Sequence, residues 1–239
     1  MKKYELTTNF KIDASGIKMY QIKALKDFGD VKKGDLGGYI EREENLSQDG
    51  NSWVAGSALV SGSAKVSGNA LICGSVLISG SAKILGNALV CGNAKVSGNA
   101  LICGSAKILG NALVCGNAKV SGNALVSGSA KILGNALVCG SAEVSENALV
   151  SGSAKILGNA RISWCAKICN NADYAIIQGF GREFRNTTFF RCNDGEVRVS
   201  CGCFFGTIDQ FRQQVRTTRD GKIAQEYLKI ADLMELHFE

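Results

Sequence analysis

Apolar and polar positions repeat every six residues from position 51 to position 176. The run contains 21 hexads without an insertion, from NSWVAG to NADYAI, with the consensus [N/S]-A-[K/L]-[V/I]-[S/C/L]-G. One aliphatic position recurs from Val54 to Ile168, and Tyr174 replaces it in the last hexad. A small residue, nearly always Ala, stands two positions earlier. Because residues two apart on a strand face the same side, each hexad predicts a short strand whose Ala and aliphatic side chains face a core.

The other positions of the hexad predict a turn. Each Gly, such as Gly62 or Gly68, is followed by Asn or Ser, and these residue types tolerate the backbone angles of tight turns. A strand and a turn every six residues are typical of a parallel β-helix. A single hexad cannot bury its aliphatic side chain, so the coils must stack and share one continuous core.

The hexads resemble the left-handed β-helix of hexapeptide-repeat proteins, in which three hexads form one triangular coil. The resemblance implies about seven coils, and a strand spacing of about 4.8 Å would make the stem roughly 30 Å long. The predicted fold class is therefore mainly β: a single-stranded left-handed parallel β-helix, with a small β cap before it and an α+β module after it.

A two-sided solenoid with 12-residue coils is the competing architecture. Lysines such as Lys83 and Lys95 alternate with leucines such as Leu89 and Leu101 at a 12-residue period. A 12-residue coil would stack lysine on lysine, which destabilises a sheet. An 18-residue coil gives a mixed ladder of Lys65, Lys83, Leu101, Lys119 and Leu137, and this three-sided coil is favoured.

Residues 1–50 are predicted to form an N-terminal β cap. Two strand-forming runs, YELTTNFKID and GIKMYQIKAL, flank a turn at Ala14–Gly16. Ile40 and Leu46 are six residues apart, so the β-helix is expected to begin there, two residues out of phase with the hexads that follow. An open solenoid end exposes core and strand edges, and the cap is expected to cover them.

Residues 177–239, after the stem at 51–176, are predicted to form a ββαα module. Two β-rich runs flank Asn193-Asp194-Gly195, which is a strong hairpin signal. Thr207 and Gln210 form a capping-box pattern at the start of a first helix. A second helix follows Gly221. Its predicted apolar stripe consists of Ile223, Tyr227, Ile230, Leu233 and Leu236.

Both terminal segments carry further resemblances. Three N-terminal segments resemble the N-terminal part of phage and prophage hexapeptide-repeat proteins, among them the YdcK-like proteins labelled as transferases. These segments are KALKDF, KKGDLGGYIE and ENLS. The stretches RNTTFF and VSCGCFFGTIDQF resemble a C-terminal module of phage-encoded proteins. The resemblance implies a phage or prophage context, and its transferase label implies acyl transfer.

The net charge of +6 belongs entirely to the stem, because both terminal segments are balanced. Lysines on a sheet surface keep it from aggregating, and this is the favoured interpretation of the charge. Nucleic acid is not expected as a partner, because the stem lacks interleaved aromatic and arginine residues. The opening MKKYELTTNF has no apolar core of a signal peptide, and no apolar run is long enough for a membrane span. We therefore expect a cytoplasmic protein without membrane association.

The cysteines are expected to be reduced thiols, in keeping with a cytoplasmic location. Six of the ten occupy one hexad position that elsewhere holds Ser or Leu. Cys73 and Cys91 would be stacked neighbours on an 18-residue coil, and a disulfide between them is the alternative. Cys192, Cys201 and Cys203 are weak candidates for zinc, because no C-x-x-C pair accompanies them. No metal site and no cofactor are predicted.

The stem lacks the histidine that would be expected to act as the general base of an enzyme. The resemblance to hexapeptide-repeat acyltransferases implies a histidine near a groove between neighbouring β-helices, and histidine titrates near neutrality. The chain has one histidine, His237, far outside the stem. No catalytic residue is therefore assigned, and an acyltransferase function is disfavoured.

The densest set of potential ligand groups follows the last hexad, within GFGREFRNTT. Glycines allow a ligand to approach the backbone, and arginines bind phosphate or carboxylate. The candidate ligand-binding residues are Gly179, Gly181, Arg182, Arg185, Asn186, Thr187 and Thr188.

The favoured function is a non-enzymatic scaffold or interaction protein of phage or prophage type that self-associates as a homo-oligomer. Its outward leucines, Leu89, Leu101, Leu113 and Leu125, have no place in the core. The alternative is a protein that sequesters an anionic small molecule or nucleotide where the stem meets the C-terminal module.

Overall fold

The computed structural model describes residues 2–13 and 15–239. Its N-terminal cap consists of the strands β1 (Tyr4–Ile12), β2 (Lys18–Ala24) and β3 (Leu36–Ile40), followed by a short 3-10 helix at Glu43–Asn45. The strands β1, β2 and β3 pair antiparallel in that order. Ala14 of the predicted turn lies outside the described residues, whereas Gly16 adopts a positive φ of 79°.

The stem consists of twenty two-residue strands between positions 53 and 168. They are β4 (Trp53–Val54), β5 (Leu59–Val60), β6 (Lys65–Val66), β7 (Leu71–Ile72), β8 (Leu77–Ile78), β9 (Lys83–Ile84), β10 (Leu89–Val90), β11 (Lys95–Val96), β12 (Leu101–Ile102), β13 (Lys107–Ile108), β14 (Leu113–Val114), β15 (Lys119–Val120), β16 (Leu125–Val126), β17 (Lys131–Ile132), β18 (Leu137–Val138), β19 (Glu143–Val144), β20 (Leu149–Val150), β21 (Lys155–Ile156), β22 (Arg161–Ile162) and β23 (Lys167–Ile168).

Each stem strand pairs in parallel with the strand 18 residues away, so the predicted three-sided coil is confirmed. Face 1 contains β3, β5, β8, β11, β14, β17, β20 and β23; face 2 contains β4, β7, β10, β13, β16, β19 and β22; face 3 contains β6, β9, β12, β15, β18 and β21. On face 3 the predicted mixed ladder is found, with Lys83 opposite Leu101 and Leu101 opposite Lys119. About seven turns of parallel solenoid result, which fits the left-handed form; the hand itself stays a prediction.

The start of the solenoid is out of phase as predicted. Ile40 pairs with Val60 and Leu46 forms a bridge with Val66, each at a separation of 20 residues instead of 18. The cap therefore supplies the first side of the solenoid itself, and it extends face 1 by continuing into β2 and β1.

The interior of the stem is a continuous column of small and aliphatic side chains. The Ala and the Val or Ile of successive hexads, such as Ala100 and Ile102, are completely buried. Outward leucines such as Leu89 are half-buried, and outward lysines are exposed. The pattern of the hexad alone therefore placed the inward residues of 51–170 correctly, whereas in the last hexad Ala172 is exposed and Tyr174 only partly buried.

The corners of the coil require glycine for two reasons. Gly98 has a φ of 68°, and a Cβ on it would lie 2.7 Å from the carbonyl oxygen of Gly116 in the next coil. At two positions of one corner column a residue other than glycine adopts a positive φ: Glu146 has a φ of 55° and Trp164 a φ of 57°. Asparagine side chains also stack along corners, as between Asn99 and Asn117 across 3.1 Å.

The C-terminal module contains a four-stranded antiparallel sheet and two helices. The elements are β24 (Tyr174–Ile177), β25 (Thr187–Arg191), β26 (Val197–Cys201), β27 (Phe204–Thr207), α1 (Ile208–Thr218) and α2 (Gly221–Phe238), and a 3-10 helix at Asn171–Asp173 precedes them. The predicted hairpin and helices are confirmed, as is the capping box of Thr207 and Gln210. The sheet has two additional edge strands, β24 and β27, and β24 takes up the last predicted hexad.

The predicted apolar stripe of α2 is wrong in its second half. Leu233 and Leu236 are 54% and 66% exposed, whereas Met234 and Phe238 are buried. Leu233 and Leu236 follow Ile230 at intervals of three residues, which is less than the 3.6 residues of one helical turn. Each interval therefore rotates the side chain further away from the core. The buried stripe alternates steps of four and three from Tyr227, and it packs against β25, β26 and α1.

The expectation of reduced cysteines is wrong for four of them. Cys73 and Cys91 form a disulfide between adjacent coils, with a Cα–Cα separation of 4.8 Å. Cys165 and Cys192 form a second disulfide, which joins the last coil to the turn that follows β25. The six remaining cysteines are free. The cytoplasmic location, which drew on the missing signal-peptide pattern in MKKYELTTNF, stays a prediction.

Candidate functional site

The C-terminal module closes the end of the stem through strand β25. Neighbouring residues on a strand face opposite sides, and here both sides are covered. Phe190 packs with the stem core, whereas Phe189 packs with the helices. The disulfide between Cys165 and Cys192 and a hydrogen bond from the Asn193 N–H to the Cys165 carbonyl, 2.9 Å long, hold the two parts together.

Side-chain acceptors also satisfy the backbone at this end. In the stem alternate residues, such as Leu71, Cys73 and Ser75, donate their N–H groups to carbonyls of the next coil, so the last coil presents such N–H groups without a coil to follow. Asn171 Oδ1 accepts from Lys155 N at 2.8 Å, and Asp173 Oδ2 accepts from Cys169 N at 2.7 Å. Unpaired buried N–H groups are costly, so these side chains finish the solenoid.

The seven predicted ligand residues occupy two different settings. Gly179, Gly181, Arg182, Arg185 and Asn186 lie in the loop 178–186 between β24 and β25. Thr187 and Thr188 begin β25 and are buried, and their hydroxyl groups are engaged within the protein. The Thr187 hydroxyl contacts Cys201 Sγ at 3.1 Å, and the Thr188 hydroxyl accepts from Arg161 N at 3.3 Å.

The loop 178–186 forms one wall of a cleft of about 190 Å³ in the C-terminal module. Arg182 and Arg185 of this loop line the cleft, and so does Arg219, which lies just after α1. Tyr227 lies beneath the loop, where its hydroxyl donates to the Phe180 carbonyl at 3.3 Å. A Cβ at Gly181 would collide with the Tyr227 ring, so this glycine lets the loop lie against the ring.

Asn186 points into a neighbouring hollow of about 240 Å³ that it shares with Arg161, Arg185 and Gly202. Its Nδ2 donates to the Asn159 carbonyl at 3.3 Å, and its Oδ1 is buried without a partner among the described residues. Arg185 borders both this hollow and the cleft. The two depressions are therefore adjacent, with Arg185 between them.

The electrostatics of the cleft are governed by arginine. Burial raises the pKa of Tyr227, and the guanidinium groups of Arg219 and Arg185 act in the opposite direction. Both cations therefore lie close enough to the phenol to affect its ionisation. Glu183 is the acidic residue that lines the cleft, so positive charge predominates there.

The cysteines proposed as weak zinc candidates are not brought together as a free trio. Cys192 is bonded to Cys165, Cys201 contacts Thr187, and Cys203 is exposed. Within residues 2–13 and 15–239, no group of three or more His, Cys, Asp or Glu side chains is arranged to hold a metal ion.

Sequence reasoning missed Arg219 and Tyr227 as members of the cleft. They follow the predicted segment by more than 30 positions and reach it only because α1 and α2 fold back over the sheet. The apolar spacing of α2 had placed Tyr227 on a buried stripe. No local signal distinguishes Arg219 from the other arginines of this module.

The outward leucines that suggested self-association are distributed over three faces. Leu89 and Leu125 lie on face 2, Leu101 on face 3 and Leu113 on face 1. Leu101 lies between two lysines along its ladder. Leu89 instead adjoins Leu71, which is 41% exposed and follows Trp53 on the same face.

The fold and the closed ends define a hexapeptide-repeat parallel β-solenoid with a C-terminal sheet-and-helix module. The chain is similar to the uncharacterized acetyltransferase YdcK of Escherichia coli (strain K12), at 36% identity over 80 residues. The match covers 28% of this chain and 24% of the relative, so it spans about a quarter of that protein's length. No family model matches the chain. Among the described residues, no helix combines the length and apolar character that a bilayer crossing requires.

Proposed function

We propose that the protein is a non-enzymatic β-solenoid scaffold, of phage or prophage type, that holds its two terminal modules apart and self-associates. The observation that carries this proposal is the closure of the stem. Its interior is filled by aliphatic side chains such as Val96 and Ile102, and its two ends are sealed by the N-terminal cap and by β25. Close-packed interiors have low compressibility, so the stem acts as a rigid spacer.

Acyl transfer is the competing function, because the relative YdcK is named an acetyltransferase. Such a reaction needs a general base that titrates near neutrality. The histidine of this chain, His237, lies exposed in the last turn of α2, and the stem has none. The outward acid Glu143 contacts Arg161 at 3.6 Å. We expect incubation with acetyl-coenzyme A and amine acceptors to release no free coenzyme A above a protein-free blank. Release at a catalytic rate would contradict the proposal.

Self-association is assigned to the N-terminal part of face 2. Leu71 and Leu89 are direct neighbours there, and no lysine intervenes before Lys107. Burial of apolar surface drives association. Face 1 begins with a similar run of Tyr39, Leu59 and Leu77, but these side chains are only partly exposed, whereas Leu71 on face 2 is 41% exposed. Face 3, by contrast, begins with the neighbouring pair Lys65 and Lys83.

Light scattering over a series of protein concentrations tests the association. We expect wild type to show a mass of at least two chains, and Leu71→Lys to shift it towards one chain. Leu101→Lys on face 3 is the matched control and should leave the mass unchanged. A single-chain mass for wild type at high concentration would overturn the self-association part of the proposal.

A further inference from the structure

The eight arginines from Arg161 to Arg219 fall into three groups, and Arg216, exposed on α1, neither lines the cleft nor forms an ion pair among the described residues. Four of them already contact an acceptor: Arg161 contacts Glu143, Arg191 the Phe238 carbonyl, Arg198 Asp194, and Arg212 three carboxylates. Arg182, Arg185 and Arg219 form no ion pair within residues 2–13 and 15–239, and all three line the cleft. Arg219 donates instead to the adjacent Thr218 carbonyl at 2.9 Å.

Three guanidinium groups around one cleft favour a ligand with more than one negative charge. Glu183 offsets one of the three charges, so an excess of positive charge remains. Guanidinium groups bind phosphate oxygens through paired N–H donors, and such charge-assisted hydrogen bonds are the strong ones. A phosphate monoester, which carries nearly two negative charges at neutral pH, matches this excess.

The floor of the cleft is aromatic. Phe204 and Phe211 have ring centroids 5.5 Å apart, and Phe211 and Tyr227 have theirs 5.8 Å apart. Phe204 is partly exposed and offers apolar surface beside the arginines, whereas Phe211 and Tyr227, 3% and 7% exposed, support it from the core. Apolar lining with a few placed polar groups is typical of a small-molecule pocket, and flat rings pack well against aromatic side chains.

The volume of about 190 Å³ limits the size of the occupant. Pockets for drug-sized ligands are usually about 300–1,000 Å³. The cleft is therefore suited to one compact molecule and not to a polymer. Its position in the C-terminal module makes it independent of the scaffold role proposed for the stem.

We propose that this cleft binds a small phosphate monoester that carries a planar ring, the chemistry of a nucleoside monophosphate. The phosphate lies between Arg182, Arg185 and Arg219, and the ring packs on Phe204, which Phe211 supports from beneath. Arg185 is the central contact, because it also reaches the adjacent hollow beside Asn186.

Isothermal titration calorimetry tests the proposal with four nucleoside 5′-monophosphates, ribose 5-phosphate and unphosphorylated adenosine as probes. We expect at least one nucleotide to bind saturably, and ribose 5-phosphate and adenosine to bind at least about tenfold more weakly. Adenosine lacks the charged hydrogen bonds of the phosphate and ribose 5-phosphate lacks the packing of the ring, and each loss has this order of effect. Absence of saturable binding by all four nucleotides would overturn the proposal, as would equal binding of ribose 5-phosphate.

Matched arginine variants locate the site. Arg182→Gln, Arg185→Gln and Arg219→Gln should each weaken nucleotide binding about tenfold or more. Arg216→Gln is the control, because Arg216 is exposed on α1 and does not line the cleft. Thermal melting of each variant verifies its fold, and the three separate substitutions keep the test valid if one variant fails to fold. Unchanged binding in all folded cleft variants would place the ligand elsewhere and refute the assignment.

Discussion

The ammonium group of Lys3 donates a hydrogen bond to the carbonyl oxygen of Ser52 across 2.8 Å, although Lys3 is completely buried. The contact follows from the direction of hydrogen bonds in the stem. Alternate residues of each hexad donate their N–H groups to the coil that follows, so the first coil presents carbonyl groups that need donors. Lys3 and Asn45 supply these donors, and Asn171 and Asp173 supply acceptors at the opposite end. The terminal segments therefore match the polarity of the solenoid, as capping residues match a helix.

Lys3 should make stability depend on pH in the alkaline range. Burial lowers the pKa of Lys3 from 10.5 to about 8. Between these values the unfolded chain binds more protons than the folded one, so the free energy of unfolding rises with pH. We expect a rise of about 1.5 kcal/mol between about pH 8 and about pH 9.5. The measurement is urea unfolding followed by circular dichroism at several pH values.

The Lys3→Met variant provides the control for this titration. It keeps an unbranched side chain and removes the titrating group, so the rise between pH 8 and pH 9.5 should disappear even if the variant is less stable throughout. A slope that is equal in wild type and variant would show that other groups cause the pH dependence.

Two stacked glycines allow the backbone cost and the steric cost of a side chain at a corner to be measured separately. Gly140 and Gly158 have φ values of 78° and 65° and lie in adjacent coils of one column. A Cβ on Gly140 would lie 2.8 Å from the Gly158 carbonyl oxygen, whereas a Cβ on Gly158 meets nothing within 4 Å. We expect Gly158→Ala to cost about 1 kcal/mol for its left-handed backbone, and Gly140→Ala at least about 1 kcal/mol more for the collision. Denaturant unfolding of both variants measures the difference, and equal costs would contradict the collision.

The size of the coil was predictable from sequence because a 12-residue coil and an 18-residue coil differ in how many lysines they stack on one another. The alternation of Lys83 and Leu89 would stack like charges throughout a 12-residue coil, whereas the 18-residue coil stacks Lys65 on Lys83 and then alternates Lys with Leu along that ladder. The phase shift at Ile40 was also predictable, because the six-residue spacing to Leu46 is local. Both inferences use information within a few hexads, and both are confirmed.

The cleft could be predicted only in part because half of it is non-local. Arg182 and Arg185 lie close together in the sequence, in a segment that does not follow the hexad repeat. Arg219 and Tyr227 join them through the packing of α1 and α2, which no local pattern encodes. Similarly, Tyr174 keeps the hexad period, yet its strand pairs with β25 instead of with a preceding coil. The partner of a strand is a tertiary property, so the sequence pattern misassigned this hexad to the stem.

Arg212 should contribute to the stability of the C-terminal module through the fork of its guanidinium group. It contacts Asp209 on α1 at 2.9 Å and both Asp232 and Glu235 on α2, at 2.8 Å and 2.6 Å. Lysine is a point charge that cannot reach several carboxylates with the same geometry. Since the carboxylates are exposed, we expect Arg212→Lys to cost only about 1 kcal/mol.

Urea unfolding of the Arg212→Lys variant at low and high salt measures this contribution. Arg216→Lys, on the same helix, is the matched control and should leave stability within about 0.5 kcal/mol of wild type. The difference between the two variants should shrink at high salt, because ions screen exposed charges. Equal stabilities of the two variants at low salt would show that the cluster contributes nothing.

The disulfide between Cys165 and Cys192 should determine how firmly the C-terminal module is attached to the stem. It closes a segment of 27 residues that contains β23, β24 and β25. Cross-links of this length stabilise a fold by about 3 kcal/mol, mainly by restricting the unfolded chain. Alkylation in denaturant should label six cysteines before reduction and ten after it, as counted by mass spectrometry.

The Cys165→Ser variant isolates the effect of this bond. We expect it to unfold at lower denaturant concentration than wild type and to be cleaved faster by trypsin in the loop 178–186, where Arg182 and Arg185 are exposed. Cys73→Ser is the matched control, because it removes a disulfide within the stem and should leave that cleavage rate unchanged. Labelling of ten cysteines without reduction would exclude both disulfides. Equal cleavage of the two variants would show that β25 and its aromatic packing, not the disulfide, hold the module in place.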